Sequence, residues 1–89
     1  MATFPEDAEL MLAIAKAESH LNPDAYNPEF HRGCQGSIGL FQIACVHTDN
    51  PDDLFDIDYN LQVAREIYER EGVQPWGAYT DRRYLAFLN

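Results

Sequence analysis

Apolar and polar positions alternate in two different rhythms along the chain, and the change of rhythm divides it. Leu10, Ala13, Ile14, Ala17 and Leu21 recur at helical spacing, which predicts a first helix from about Pro5 to His20 with one apolar stripe toward a core. Thr3 and Glu6 three positions later, with Pro5 between them, read as its capped start, and Pro23 as its stop. From Asn22 to Ser37 the chain is rich in Asn, Pro, Asp and Gly. That predicts an irregular segment or a short β-hairpin rather than another helix. Ile38 to Val46 is a compact apolar run after the Gly36 and Gly39 turns, and a short helix is expected there.

A second long helix is predicted from about Asp58 to Glu71, with Leu61, Ala64, Ile67 and Tyr68 inward and Gly72 as its stop. After the aromatic turn "QPWGAY", the segment "TDRRYLAFL" reads as a final helix capped by Thr80. The expected fold is mainly α within an α+β plan, a small helical domain with an irregular or hairpin region between its first two helices. At 89 residues the chain makes one domain, 1–89, with one small core.

Composition narrows the partners. A formal net charge of −9 argues against a nucleic-acid backbone or an anionic bilayer, both of which need a basic footprint, and leaves a neutral glycan compatible. No stretch reaches the roughly 20 apolar residues of a membrane span. The opening "MATFPEDAEL" lacks the basic and apolar regions of a secretory signal. The expectation is therefore a chain that is not membrane-inserted, and that either reaches an outside compartment by a route not encoded here or is a module of a longer protein. Cys34 and Cys45 either pair, closing a loop worth about 3 kcal/mol in the chain-entropy model, or stand as free thiols in a reducing compartment. No third Cys and no His stands at zinc spacing around them.

One carboxylate breaks the pattern. Glu18 follows Ile14 by one helical turn and so lies along the apolar stripe, close to the predicted helix end. Desolvation there would raise its pKa, as a general acid near neutral pH requires. The plainer alternative is an edge residue reaching solvent or a backbone group. Several other features are discounted. "DIDYN" opens like a calcium loop, but Leu61 occupies the place of the turn glycine and Ile67 that of the bidentate Glu. His20, His31 and His47 lack ligand spacing and read as surface or groove-rim residues. Trp76 is either a sugar-stacking or a core residue, and Tyr26, Phe30 and Tyr84 are open between packing and groove lining.

The ordered set "AIAKAESHLNPDAYN", "GSIGLFQI" and "PWGAY" resembles the signature of the soluble lytic transglycosylases and their goose-type lysozyme relatives, over about Leu12 to Tyr79. The resemblance implies a peptidoglycan lytic transglycosylase without metal or organic cofactor, acting on the β-1,4 bond between N-acetylmuramic acid and N-acetylglucosamine and leaving 1,6-anhydro ends. The alternatives are a muramidase hydrolysing the same bond and a non-catalytic glycan-binding or structural module. It makes Glu18 the catalytic acid and base, and has Ser19 fix the helix end and the glutamate. Asn27 would hydrogen-bond the sugar. Gly36, Gly39, Leu40, Phe41, Gln42 and Ile43 would wall the groove, with Gln42 directed at the glycan, and Tyr79 would bring its hydroxyl near the glutamate.

Two departures from that pattern stand out: about six extra residues between Asn27 and Gly36, including His31, Arg32 and Cys34, and Thr80 where an Asn commonly follows the tyrosine. The first suggests a longer loop tied by a disulfide. A hydrolase would need a second carboxylate, for which Asp49, Asp52, Asp53, Asp56 and Asp58 are candidates beyond the Gly-rich stretch, unless they are simply a solvated acidic loop with a helix cap. The implied setting is extracytoplasmic, in a cell wall, periplasm or phage virion, with glycan strands as partner.

Overall fold

A computed structural model describes residues 2–88. The first helix, α1 (Ala8–Ser19), leads into an antiparallel hairpin of β1 (Tyr26–His31) and β2 (Cys34–Ile38), to which the two-residue β3 (Ile43–Ala44) adds on the far side of β2. Two short 3-10 segments, Cys45–His47 and Pro51–Phe55, connect the sheet to α2 (Ile57–Glu71). The four-residue α3 (Gly77–Thr80) and a 3-10 turn over Arg83–Phe87 close the described chain. The architecture is mainly helical with a small sheet between the first two helices, as the sequence pattern predicts. Among the described residues, no helix is long and apolar enough to cross a membrane.

α1 is shorter than expected at both ends. Glu6 does not reach back to cap it; its carboxylate pairs with Arg65 on α2 at 2.7 Å, which holds the Glu6 pKa down at about 2. Asp7 is likewise engaged elsewhere, accepting from the Tyr68 hydroxyl. The helix stops at Ser19 rather than at Pro23 because His20 and Leu21 both adopt left-handed backbone, φ 56° and 60°. Leu21 is consequently turned out, 39% exposed, instead of continuing the stripe. Met11, Ala13, Ile14 and Ala15 make the buried face.

α2 starts where the Asp56 side chain accepts the Tyr59 N–H and ends at Gly72, φ 71°. Its buried positions are Asn60, Val63, Ala64 and Ile67, while Leu61 and Tyr68 lie at the core margin. Phe4, Met11, Ile14, Phe41, Leu54 and Trp76 pack with these residues in one apolar cluster. Phe41 meets Phe4 and Trp76 edge to face, and the Trp76 indole N–H donates to the Phe41 carbonyl at 3.1 Å. Trp76 is thus a core residue whose polar edge is satisfied.

The helix expected over Ile38–Val46 does not form. Gly39 and Gln42 take φ 75° and 48°, which no α-helix tolerates, and the main-chain groups there are claimed by Asn60 of α2. Only 1% exposed, Asn60 donates through Nδ2 to the Ile38 and Leu54 carbonyls, each at 2.9 Å, and accepts the Phe41 N–H at 3.1 Å. A Cβ on Gly39 would sit 2.6 Å from both Asn60 Nδ2 and the Leu54 carbonyl oxygen, so only glycine fits. The final helix is also absent as such. Arg82 turns left-handed at φ 68°, and Asp81, not Thr80, accepts the Arg83 N–H at 3.0 Å; the Thr80 hydroxyl turns back to the Gly77 carbonyl.

Cys34 and Cys45 form a disulfide that joins the start of β2 to the segment after β3. We predict that reducing it lowers stability by about 3 kcal/mol, the loop-closure entropy for a ring of this length; an unchanged melting transition in reductant would contradict this. Asn60→Ala orphans three buried main-chain groups and is expected to destabilise by roughly 3 kcal/mol or more. Urea denaturation of the two proteins measures the difference, and a loss below about 1 kcal/mol would remove Asn60 from its clamping role.

Candidate active site

Glu18 occupies the penultimate position of α1, two residues before the backbone turns left-handed at His20. Its neighbour Ser19 is buried and donates nothing to the cleft: Oγ contacts the Ala15 carbonyl at 3.2 Å and the Leu40 carbonyl at 2.7 Å. That second bond, from helix end to Gly-rich turn, fixes where Glu18 can point. The Glu18 side chain is 11% exposed. Its Oε2 accepts the Ala78 N–H at 3.1 Å, and Arg83 Nη2 stands 3.8 Å from Oε1.

Burial is the largest influence on this carboxyl and raises its pKa above 4.5. The Ala78 N–H and the Arg83 guanidinium oppose it, whereas the charges of Asp81 and Glu29 add to the rise. Desolvation prevails because Ala78 offers one hydrogen bond and Arg83 is half committed to Asp81, which it meets at 2.7 Å. For a raised carboxyl the sign is fixed. The stability contributed by the protonated form is full below the ordinary value near 4.5 and is lost as pH rises through the higher folded value.

The carboxyl opens onto a cleft of about 400 Å³ that runs between the end of α1, the sheet and the α2–α3 connection. Of the residues expected to meet a ligand, Asn27, Gln42 and Ile43 line this cleft with Glu18. Gln42 uses its amide nitrogen on the Ala25 and Gly39 carbonyls, 3.2 and 3.1 Å away, which leaves its amide oxygen to face a ligand. The other expected wall residues are not on the cleft surface. Leu40 and Phe41 are buried in the core. Gly39 packs on Asn60, and Gly36 lies against the Tyr26 ring, 2.7 Å from where its Cβ would be. These four support the wall from behind.

Tyr79, expected to bring its hydroxyl near the glutamate, is not among the residues lining this cleft. α3 presents Gly77 and the Ala78 N–H toward Glu18, so the Tyr79 ring turns away. It stacks on Tyr84 with centroids 5.1 Å apart and borders two separate surface hollows. The acidic run Asp49 to Asp58 likewise contributes nothing to the cleft lining. Tyr26 pairs with Phe55 on the sheet, and Phe30 is exposed outside the cleft.

The structure adds residues that the sequence reading did not assign. Glu29, Ser37 and Arg83 line the cleft, and Trp76, His31 and His47, read from the sequence as stacking-or-core and surface-or-rim residues, line it as well. His31 Nε2 shares a 3.1 Å hydrogen bond with Ser37 Oγ. Burial pushes the His47 imidazole below 6.5, partly offset by Glu71. Asn27, Glu29 and His31 all come from β1, whose pairing is interrupted by a bulge between Asn27 and Phe30, so simple alternation along the sequence does not foretell their shared cleft. Arg83 carried no signal, because the left-handed Arg82 that aims it cannot be read from residue type. Among the described residues, no group of three or more His, Cys, Asp or Glu side chains is arranged to hold a metal ion.

A family model described as a lysozyme-like domain matches residues 1–78. No curated protein and no solved structure matches the chain.

Removing Arg83 isolates the electrostatics of Glu18 from any activity. Arg83→Ala deletes a cation beside Glu18 and leaves the Asp81 charge uncompensated, and both changes push the Glu18 pKa further up. Carboxyl-carbon NMR titration should show the shift; a downward or absent shift would mean that Arg83 does not act on Glu18.

Proposed function

Because the chain belongs to the lysozyme-like domain family of lytic transglycosylases, we propose that it cleaves the β-1,4 bond between N-acetylmuramic acid and N-acetylglucosamine in peptidoglycan, as a lytic transglycosylase. The observation that carries this reading is a nearly buried carboxyl with a raised pKa that opens onto a cleft of about 400 Å³. A group held protonated toward neutral pH is suited to donate to the bridging oxygen of a glycosidic bond.

In this mechanism the Glu18 carboxyl gives its proton to the bridging oxygen and the bond from that oxygen to the muramic C1 breaks. The C6 hydroxyl oxygen of the same muramic residue then bonds to C1, and its proton passes to the Glu18 carboxylate. The 1,6-anhydro ring closes without consuming water, and Glu18 is restored to its acid form. The Ala78 N–H keeps the carboxylate aimed between the two transfers, and it stabilises the charged form that exists only between them.

Asn27 and the Gln42 amide oxygen are the proposed sugar contacts, with Ile43 and Trp76, both nearly buried, as the floor of the cleft. Ser19, Gly36, Gly39, Leu40 and Phe41 act behind them as supports, and Tyr79 has no assigned contact. The proposed partner is the glycan strand of a cell wall, met outside the cytoplasm or from a phage particle. A purely structural module would not require a desolvated acid at the mouth of a cleft, since burying a carboxyl without full pairing opposes stability.

Glu18→Gln is expected to fold as the parent does and to lose about 10²- to 10⁴-fold of its glycan-cleaving rate, the usual contribution of a positioned acid. Mass spectrometry of digested peptidoglycan should find 1,6-anhydro ends with the parent protein. Parental rates in Glu18→Gln, or intact strands with the parent, would overturn the reading.

A further inference from the structure

From the hydrogen bond between Ser37 and His31 on the wall of the Glu18 cleft, we propose a second activity: Ser37 is a nucleophile, His31 is its base, and the pair hydrolyses an O-acyl ester carried by the glycan. The choice of substrate rests on the glycan-cleaving role of Glu18. The chemistry rests on the sheet alone.

Three side chains from adjacent strands meet on one face. Ser37 of β2 stands directly opposite Asn27 of β1, a register that holds the two Cβ atoms about 4.5–5.5 Å apart. His31, further along β1, brings Nε2 to 3.1 Å from Ser37 Oγ. All three line the cleft that holds Glu18. Ser37 is 8% exposed, which limits competition from bulk water for its hydroxyl.

With the imidazole proton on Nδ1, Nε2 accepts the Ser37 O–H, the arrangement that activates a serine. His31 pairs opposite Cys34, which is bonded to Cys45, so nucleophile and base sit where the disulfide ties the sheet down. Asn27 adds a donor. Its amide gives one hydrogen to Glu29 Oε1 at 3.1 Å and keeps a second for the carbonyl oxygen of an acyl group at Ser37.

The missing third partner narrows the substrate. Among the described residues no carboxylate accepts a hydrogen bond from His31, and a serine and histidine deprived of an orienting carboxylate lose about 10⁴-fold in rate. Such a pair suits an ester, whose alcohol departs readily, better than an amide. The glycan hydroxyls are the alcohols at hand. In the proposed cyclisation the muramic C6 oxygen must bond to C1 and release a proton, so an acyl group on that oxygen blocks ring closure. Removing it within the same cleft restores the substrate of Glu18.

The reaction consumes one water. Ser37 Oγ bonds to the acyl carbon as its proton passes to His31 Nε2; the bond from that carbon to the sugar oxygen breaks, and the sugar oxygen takes the proton. Water then bonds to the acyl carbon and gives a proton to Nε2, the bond to Oγ breaks, and Oγ takes the proton back. A free hydroxyl and a carboxylic acid are released.

The test treats the parent protein, Ser37→Ala and His31→Gln with a fluorophosphonate, locates adducts by peptide mass spectrometry, and follows hydrolysis of p-nitrophenyl acetate, with circular dichroism to check the fold. The expected result is one adduct on Ser37 of the parent, an ester rate about 10²-fold lower in each variant, and acetate released by the parent from peptidoglycan acetylated with acetic anhydride. A parent without an adduct on Ser37 would overturn the proposal even if neither variant folds, because a hydroxyl that only ties two strands together does not react. Undiminished ester hydrolysis in folded Ser37→Ala would assign that activity to other imidazoles and overturn it too. Anhydro ends from a parent whose Ser37 stays unlabelled would leave Glu18 standing and remove only the esterase. A labelled Ser37 with intact strands would sustain the pair and overturn the role of Glu18.

Discussion

The cleft depends on a side-chain amide buried between a helix and a turn. Asn60 satisfies the Ile38 carbonyl at the end of β2, the Phe41 N–H in the turn that follows, and the Leu54 carbonyl of the second 3-10 segment. Without it the turn from Ile38 to Phe41 would bury unpaired main-chain groups, each costing about 1–3 kcal/mol. The clamp also dictates its surroundings. Gly39 must lack a Cβ because the amide stands where that Cβ would be, and Phe41 is delivered to the core by the same bond that holds its N–H. Ser19 then ties α1 to Leu40 in the middle of the clamped turn. The direction of Glu18 therefore follows from a residue that never touches the cleft.

The same arrangement explains how a small protein keeps a carboxyl nearly dry. α1 ends on two left-handed residues, a conformation that costs about 1–2 kcal/mol for each side-chain-bearing residue. Ending the helix there puts Glu18 at its mouth instead of within its packed face, so the carboxyl reaches both the cleft and the Ala78 N–H. One backbone donor and one distant guanidinium orient the group without fully stabilising its charge. Two well-placed arginines would give a firmer salt bridge and a poorer acid.

The sequence made α2 legible to within a residue because three signals agree there: Asp56 as cap, apolar spacing, and Gly72 as stop. α1 and the position of Glu18 on its stripe were legible for similar reasons. The Ile38–Val46 run was not, since its apolar residues serve core packing while its backbone obeys Asn60, a polar residue nineteen positions beyond Phe41. Composition reports burial, not which distant group takes the hydrogen bonds. The groove motif was recognisable as a string, yet Leu40 and Phe41 lie in the core, Ile43 is nearly buried beneath the cleft, and Gln42 reaches it.

The edges of the cleft are not held alike. β2 and β3 are joined to their surroundings by a covalent bond at Cys34 and Cys45 and by the Asn60 clamp, whereas β1 pairs with one neighbour only and five of its six residues are exposed. One bank is therefore cross-linked and the other held by a single ladder, and the second bank carries Asn27 and Glu29. Loosening the single ladder of β1 would therefore widen the cleft without breaking the disulfide or the Asn60 clamp.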